Sequence, residues 1–150
     1  MSDVDVVGID RVLIATNGLE ASTRQFTELL GVEFGATIDP PTKPVANRTS
    51  RIGVEFVSGE DGSGIERFLE RNGPGLYALS LEVSDVSAAR EALAADGVEP
   101  VDEVDLDGFH EVFYHPSSFE DVMLILTEYD QPHPAESAAA ESGWTRDGND

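Results

Sequence analysis

β-Branched and aliphatic side chains run through Ile9–Thr16, with Val12, Ile14 and Thr16 at alternate positions, which predicts a strand over 9–16. Asn17, with Glu20 three residues on, has the form of a capping box. The period then becomes helical, with Leu19, Phe26, Leu29 and Leu30 on one face and Gly31 where a C-terminal cap belongs. A strand over 32–38 follows. Residues 39–44 hold three prolines, which a central sheet ladder cannot accommodate, and are predicted as loop. A further strand is expected over 50–58. Ser63 and Glu66 form a second capping box, opening a short helix with Ile65, Phe68 and Leu69 on one side. Asn72-Gly73-Pro74-Gly75 ends that helix and serves as a hinge.

The pattern then repeats. A strand over 76–83 leads to an N-cap at Ser84 and a helix to about residue 96 with Val86, Ala89 and Leu93 inward. Strands near 98–103, 109–115 and 121–128 complete the second unit. Alternation places Val12, Ile14 and Thr16, and Leu79, Leu81 and Val83, against the helices. Arg11, Leu13 and Ala15, with Ala78, Ser80 and Glu82, then face away from them. On the last strand Val122, Leu124 and Leu126 point inward, leaving Met123, Ile125 and Thr127 on the free face. The fold class is α+β: two tandem βαβββ modules forming a cupped mixed sheet with helices on its outer face. The boundaries are a single domain over 1–129, with module one at about 7–58, a connecting helix at 63–73 and module two at about 76–129. Free faces of two curved sheets would enclose a cleft suited to a ligand. From Asp130 onward the chain has no Val, Ile, Leu, Met or Phe, so 130–150 is expected to be an acidic, disordered tail with Trp144 as its one large apolar residue.

Charge changes this picture more than overall composition does. Thirty Asp and Glu face nine Lys and Arg, a net charge of −21, and Lys43 is the sole lysine. Such a surface repels itself in dilute buffer but is screened at molar salt, where the Debye length falls to about 3 Å. The expectation is a halophilic, haloarchaeal protein of the cytoplasm. With no basic stripe, nucleic-acid binding is disfavoured. No apolar run approaches the ~18 residues of a membrane span, so no membrane partner is expected. The absence of cysteine excludes thiolate metal sites, disulfides and a cysteine nucleophile.

Several segments, in order, carry a family resemblance: Gly8-Ile9-Asp10-Arg11-Val12, Phe26-Thr27-Glu28-Leu29-Leu30-Gly31, Ile65 through Gly73, Gly75 through Val83, and Phe113-Tyr114-His115-Pro116. Over roughly 7–129 the chain resembles the vicinal oxygen chelate superfamily, which includes glyoxalase I, extradiol dioxygenases, bleomycin-resistance proteins and methylmalonyl-CoA epimerase. It is most similar to the epimerase and glyoxalase-like branch. The resemblance implies a divalent metal that acts as Lewis acid on adjacent substrate oxygens. Its ligand positions fall at Arg11, Glu55, Ala78 and Ile125. Arginine stays protonated and cannot ligate, and alanine and isoleucine offer no donor, so no metal cofactor is expected. His110 is assigned to a solvated loop, His115 to a structural role at a strand end, and His133 to the tail. Pro40, Pro41, Thr42 and Lys43 occupy the loop where the epimerases offer a second acidic base.

The candidate ligand-binding residues are Arg11, Glu55, Tyr77, Ser80 and Ile125, with Glu55 and Glu82 as candidate bases. Arg11 has two readings: a bidentate clamp on a carboxylate, phosphate or enolate oxygen, or an ion pair with Glu55 that fills the space of the metal. The expected function is binding of a small organic acid or CoA thioester in the cleft without the usual metal. The alternatives are a divergent glyoxalase- or epimerase-like isomerase or lyase, and a regulatory or partner-docking domain. The resemblance also allows a homodimer, since the family's clefts are commonly shared across one.

Overall fold

The computed structural model describes residues 4–39 and 44–130. Its elements are β1 (Val6–Ala15), α1 (Leu19–Leu30), β2 (Val45–Thr49), β3 (Val54–Gly59), α2 (Gly64–Asn72), β4 (Gly75–Val83), α3 (Val86–Ala95), β5 (Asp102–Leu106), β6 (Phe109–Tyr114) and β7 (Met123–Tyr129), with a short 3-10 turn at Pro116–Ser118. The fold is α+β with mixed strand pairing. Of the expected tail only Asp130 is described, its N–H donating to the Gly108 carbonyl at 3.2 Å; the rest, including His133 and Trp144, and the loop residues Pro40, Pro41, Thr42 and Lys43 lie outside the described residues.

The chain forms two compact units, and the division does not follow the sequence repeat. Residues 12–77 make one. Residues 4–11 join residues 78–130 in the other, so the first half of β1 belongs with the strands of the second module.

In the 12–77 unit, β3 is central. It runs parallel to β1, with Leu13 opposite Glu55 and Ile14 opposite Phe56, and antiparallel to β2, with Thr49 opposite Glu55. The Phe26 ring on α1 meets Phe34 and Phe56 edge to face, and Phe34 and Phe56 are tilted against each other, with centroids 4.9–6.5 Å apart. Four expectations change here. The strand over 32–38 is reduced to single bridges at Phe34 and Ile38, because the Gly35 carbonyl is taken by the Arg48 side chain (2.8 Å) rather than by a ladder. β2 precedes the expected 50–58 strand, whose first residues form a turn: the Gly53 N–H donates to the Ser50 carbonyl, and Gly53 has φ +87°. Helix α1 is capped by Gly18 rather than Asn17. Thr16 Oγ1 accepts from the Gly18 N–H at 3.1 Å, which places Asn17 in a turn ahead of the helix. Leu29 and Leu30 are exposed, since the helix meets its sheet through Thr23 and Phe26 and its last turn runs past them.

Two caps match expectation. Ser63 Oγ accepts from the Glu66 N–H at 3.1 Å, and Gly31 ends α1 at φ +70°, a left-handed conformation that glycine adopts without strain.

In the other unit the strand order is β4-β7-β6-β5, with β4 and β7 parallel and the rest antiparallel. One sheet face carries Leu79, Leu81, Val83, Val112, Tyr114, Leu124 and Leu126, packed with Val86, Ala89 and Leu93 of α3. This is the alternation anticipated for β4 and β7. Val122 is the exception: it precedes β7 and is exposed. Asp85, not Ser84, caps α3, its carboxylate accepting from the Ala88 N–H at 3.0 Å. The Ser84 N–H is still engaged with the Asp5 carbonyl, so the helix starts one residue later.

Candidate functional site

The opposite face of the β4-β7-β6-β5 sheet is also buried, and it is polar. Period-two alternation brings Ala78 and Ser80 of β4, Ile125 and Thr127 of β7, and Glu111 of β6 to that face. Glu111 and Thr127 are directly opposite each other. Asp10 and Arg11 of β1 complete the group. Ser80, Ile125 and Thr127 are fully buried, and Asp10, Arg11 and Glu111 are each 7% exposed.

These side chains form one hydrogen-bonded network. The Arg11 guanidinium is ion-paired to Asp10 through one terminal nitrogen, which also donates to Ser80 Oγ at 3.2 Å. Its other terminal nitrogen donates to Glu111 Oε2 at 3.1 Å. Thr127 Oγ1 lies 2.9 Å from Ser80 Oγ and 3.2 Å from Glu111 Oε2. Ser80 Oγ donates to Asp10 Oδ2 at 3.1 Å, and the Tyr129 hydroxyl to Asp10 Oδ1 at 3.0 Å. A buried guanidinium is tolerable only with such charged partners, and each bond gains from the low local dielectric.

Of the residues singled out from sequence, Arg11, Ser80 and Ile125 therefore share one face of one unit. Glu82 lies on the same strand opposite Thr127. Tyr77 belongs to the other unit. Its ring packs edge-on against Phe68 of α2, with centroids 5.1 Å apart, and burial raises its phenol pKa while the nearby Arg67 lowers it. Glu55 is 1% exposed in the 12–77 unit, where Thr49 Oγ1 donates to one carboxylate oxygen (2.7 Å) and Asn47 Nδ2 to the other (3.2 Å). Asp10, Glu111, Thr127 and Tyr129 were not anticipated as site residues. A signal was available for Thr127, which alternation with Leu126 puts on the free face of β7, but not for Glu111, which lies between His110 and Val112.

Among the described residues the two histidines have other tasks. His110 sits on β6 rather than in a loop, half-buried, with Nε2 2.5 Å from Glu103 of β5. That hydrogen bond, with Arg90 at 2.7 Å, holds the Glu103 carboxyl below the usual carboxylate range. Among the described residues, Glu103, Asp105 and His110 bring three metal-competent atoms within 4.8 Å of one another. The Arg90 and His110 pairings with Glu103 account for this cluster as an ionic seam between α3 and the β5–β6 hairpin. His115 Nδ1 accepts from the Ser117 N–H at 3.0 Å and caps the turn after β6, the structural role expected of it.

An open groove of about 360 Å³ lies in the 12–77 unit, bordered by Thr16, Asn17, Ser58, Glu66 and Glu70.

Comparison with known proteins gives the family of this chain. Residues 10–114 match the model of the Glyoxalase/Bleomycin resistance protein/Dioxygenase superfamily. The chain belongs to that superfamily. It is 32% identical over 132 residues to the mitochondrial methylmalonyl-CoA epimerase of Dictyostelium discoideum, covering 80% of this chain and 77% of the relative. To the ethylmalonyl-CoA/methylmalonyl-CoA epimerase of Cereibacter sphaeroides it is likewise 32% identical, covering 80% of this chain and 96% of that one. Its fold is similar to the crystal structure of methylmalonyl-CoA epimerase from Mycobacterium tuberculosis, with a TM-score of 0.77 at 24% identity over 93% of this chain and 97% of that one.

At the four positions where the family resemblance would put metal ligands, the donor chemistry does not fit a divalent ion. Arg11 is a permanent cation, Ala78 and Ile125 are apolar, and both Glu55 oxygens accept hydrogen bonds from neighbouring side chains. One carboxylate falls short of the three or four donors such a site needs.

Proposed function

We propose that this superfamily member binds a small organic acid or its CoA thioester without the divalent metal at the customary positions. The observation that carries this reading is the replacement of a ligand position by Arg11, whose guanidinium is anchored on Asp10 and Glu111. The substrate class comes from the relatives, whose names identify them as epimerases of methylmalonyl-CoA and ethylmalonyl-CoA. The acidic composition supports a protein working in a salt-rich cytoplasm, so tests belong in molar KCl. Exposed Val6, Val7 and Ile9 on β1 support self-association as a homodimer, which light scattering would measure.

The deciding experiment pairs two measurements. Methylmalonyl-CoA should raise the Tm of metal-stripped protein, and adding Mn²⁺, Co²⁺ or Zn²⁺ should not increase that shift. Stoichiometric metal retained through purification, with ligand binding lost on chelation, would refute the metal-free reading.

A second reading, an epimerase-like isomerase, is favoured by one feature: two carboxyls joined through hydroxyls are an acid–base chain ready to move a proton. Exchange of the substrate α-proton in D₂O would separate it from simple binding.

A further inference from the structure

The polar face of the β4-β7-β6-β5 sheet contains more contacts than its hydroxyl protons can fill. Three consecutive oxygen–oxygen contacts link the two carboxyls: Asp10 Oδ2 to Ser80 Oγ at 3.1 Å, Ser80 Oγ to Thr127 Oγ1 at 2.9 Å, and Thr127 Oγ1 to Glu111 Oε2 at 3.2 Å. Each contact needs one proton between its oxygens to be a hydrogen bond. Serine and threonine supply one each, and an ionised carboxylate supplies none. With both acids ionised, one of the three contacts would set lone pair against lone pair in a buried site, where an unmade hydrogen bond is most costly.

We infer that Asp10 and Glu111 hold one proton between them, passed from end to end through Ser80 and Thr127, and that they are the acid–base couple of this site. When the proton is on Glu111, it donates to Thr127, Thr127 to Ser80 and Ser80 to Asp10. When it is on Asp10, all three bonds reverse. Each passage breaks three O–H bonds and forms three, and the network's charge is unchanged. Arg11 touches both carboxyls and Ser80, so it faces the relay in either setting. The other groups facing it are the Tyr129 hydroxyl on Asp10 and Glu82, opposite Thr127 on β4. Val104, opposite Glu111 on β5, adds no charge. A couple with one end protonated and the other not suits a carbon acid such as the α-carbon of a CoA thioester. That use, though not the shared proton, rests on the isomerase reading above.

Infrared spectroscopy of the full-length protein at neutral pH in molar KCl tests the relay without any ligand. The expected result is a neutral-carboxyl C=O stretch above the amide I band, shifted in D₂O and lost in both D10N and E111Q. Because those variants remove charge from a buried network and can misfold, S80A and T127V are the second arm: each leaves both carboxyls, cuts the chain and should move the band. Absence of the band in the wild type, its survival in both D10N and E111Q, or an unmoved band in both S80A and T127V would overturn the inference. Methylmalonyl-CoA in D₂O then tests the use. Exchange slowed at least tenfold by T127V, with unchanged ligand-induced Tm shift, supports the couple as catalytic. An intact band with no exchange in the wild type would leave the relay standing and remove the isomerase reading.

Discussion

The two faces of the β4-β7-β6-β5 sheet are both largely closed to solvent and differently built. One buries Leu79, Leu81, Leu124, Leu126, Val112 and Tyr114 against α3, and its cohesion is non-directional. The other buries Asp10, Arg11, Ser80, Glu111 and Thr127, and each group there depends on named partners at fixed distances. The same pleat thus makes a face that tolerates exchange of similar volumes and one that does not. An apolar side chain can be replaced by its neighbour in size, whereas removal of one polar partner strands another in a medium that cannot solvate it.

The largest effect should come from Arg11→Ala, which leaves Asp10 and Glu111 without the guanidinium between them. Denaturant titration in molar KCl should show a loss of about 3–5 kcal/mol. A loss under about 1 kcal/mol would mean that the polar face does not depend on its cation. Leu126→Ala, on the apolar face, should cost roughly 3 kcal/mol through lost burial and a cavity. Unlike the Arg11 variant, it should regain most of that stability when methionine is introduced instead of alanine. Thr127→Val keeps the shape and removes one hydroxyl from the network, with an expected loss of about 1–2 kcal/mol. If that variant is as stable as wild type, the hydroxyl chain contributes nothing to cohesion.

The smallest effect belongs to the ionic seam at the sheet's edge. Arg90 and Glu103 are partly exposed, so Arg90→Ala should cost under about 1 kcal/mol. Glu103 has its pKa lowered in the folded state, chiefly by the His110 hydrogen bond. Its contribution is therefore present above the unfolded carboxyl range and is lost as pH falls through the lowered folded value. His110→Ala should flatten the acid limb of the stability profile, and an unaltered limb would show that the seam does not stabilise the fold.

Much of the fold was legible because burial imposes period. The apolar face of β4 and β7 follows from alternation alone, and Gly31 and Ser63 act as their chemistry requires. Where competing local bonds decide, sequence misleads. Thr16 draws in the Gly18 N–H and displaces Asn17 as cap, Ser84 is held by Asp5, and Arg48 takes the Gly35 carbonyl that a ladder would have used. In the site, Arg11 and Ser80 were legible as neighbours on one face. Asp10 carries no signal beyond its place in a motif, and Glu111 carries none, because a lone glutamate in a strand usually points to water. Only the pairing of β6 with β7 shows that it faces Thr127.

The assignment of residues 4–11 to the later strands has a consequence for how the chain is made. Asp10 leaves the ribosome before its partners, since Ser80 lies 70 residues downstream and Tyr129 119 residues downstream. At about 5–20 residues per second, the 119-residue interval alone lasts roughly 6–24 s. For that long Asp10 of the nascent chain lacks the Tyr129 hydroxyl, although Ser80 is made sooner. The polar face is therefore completed only when the end of β7 has been made, well after its β4 side.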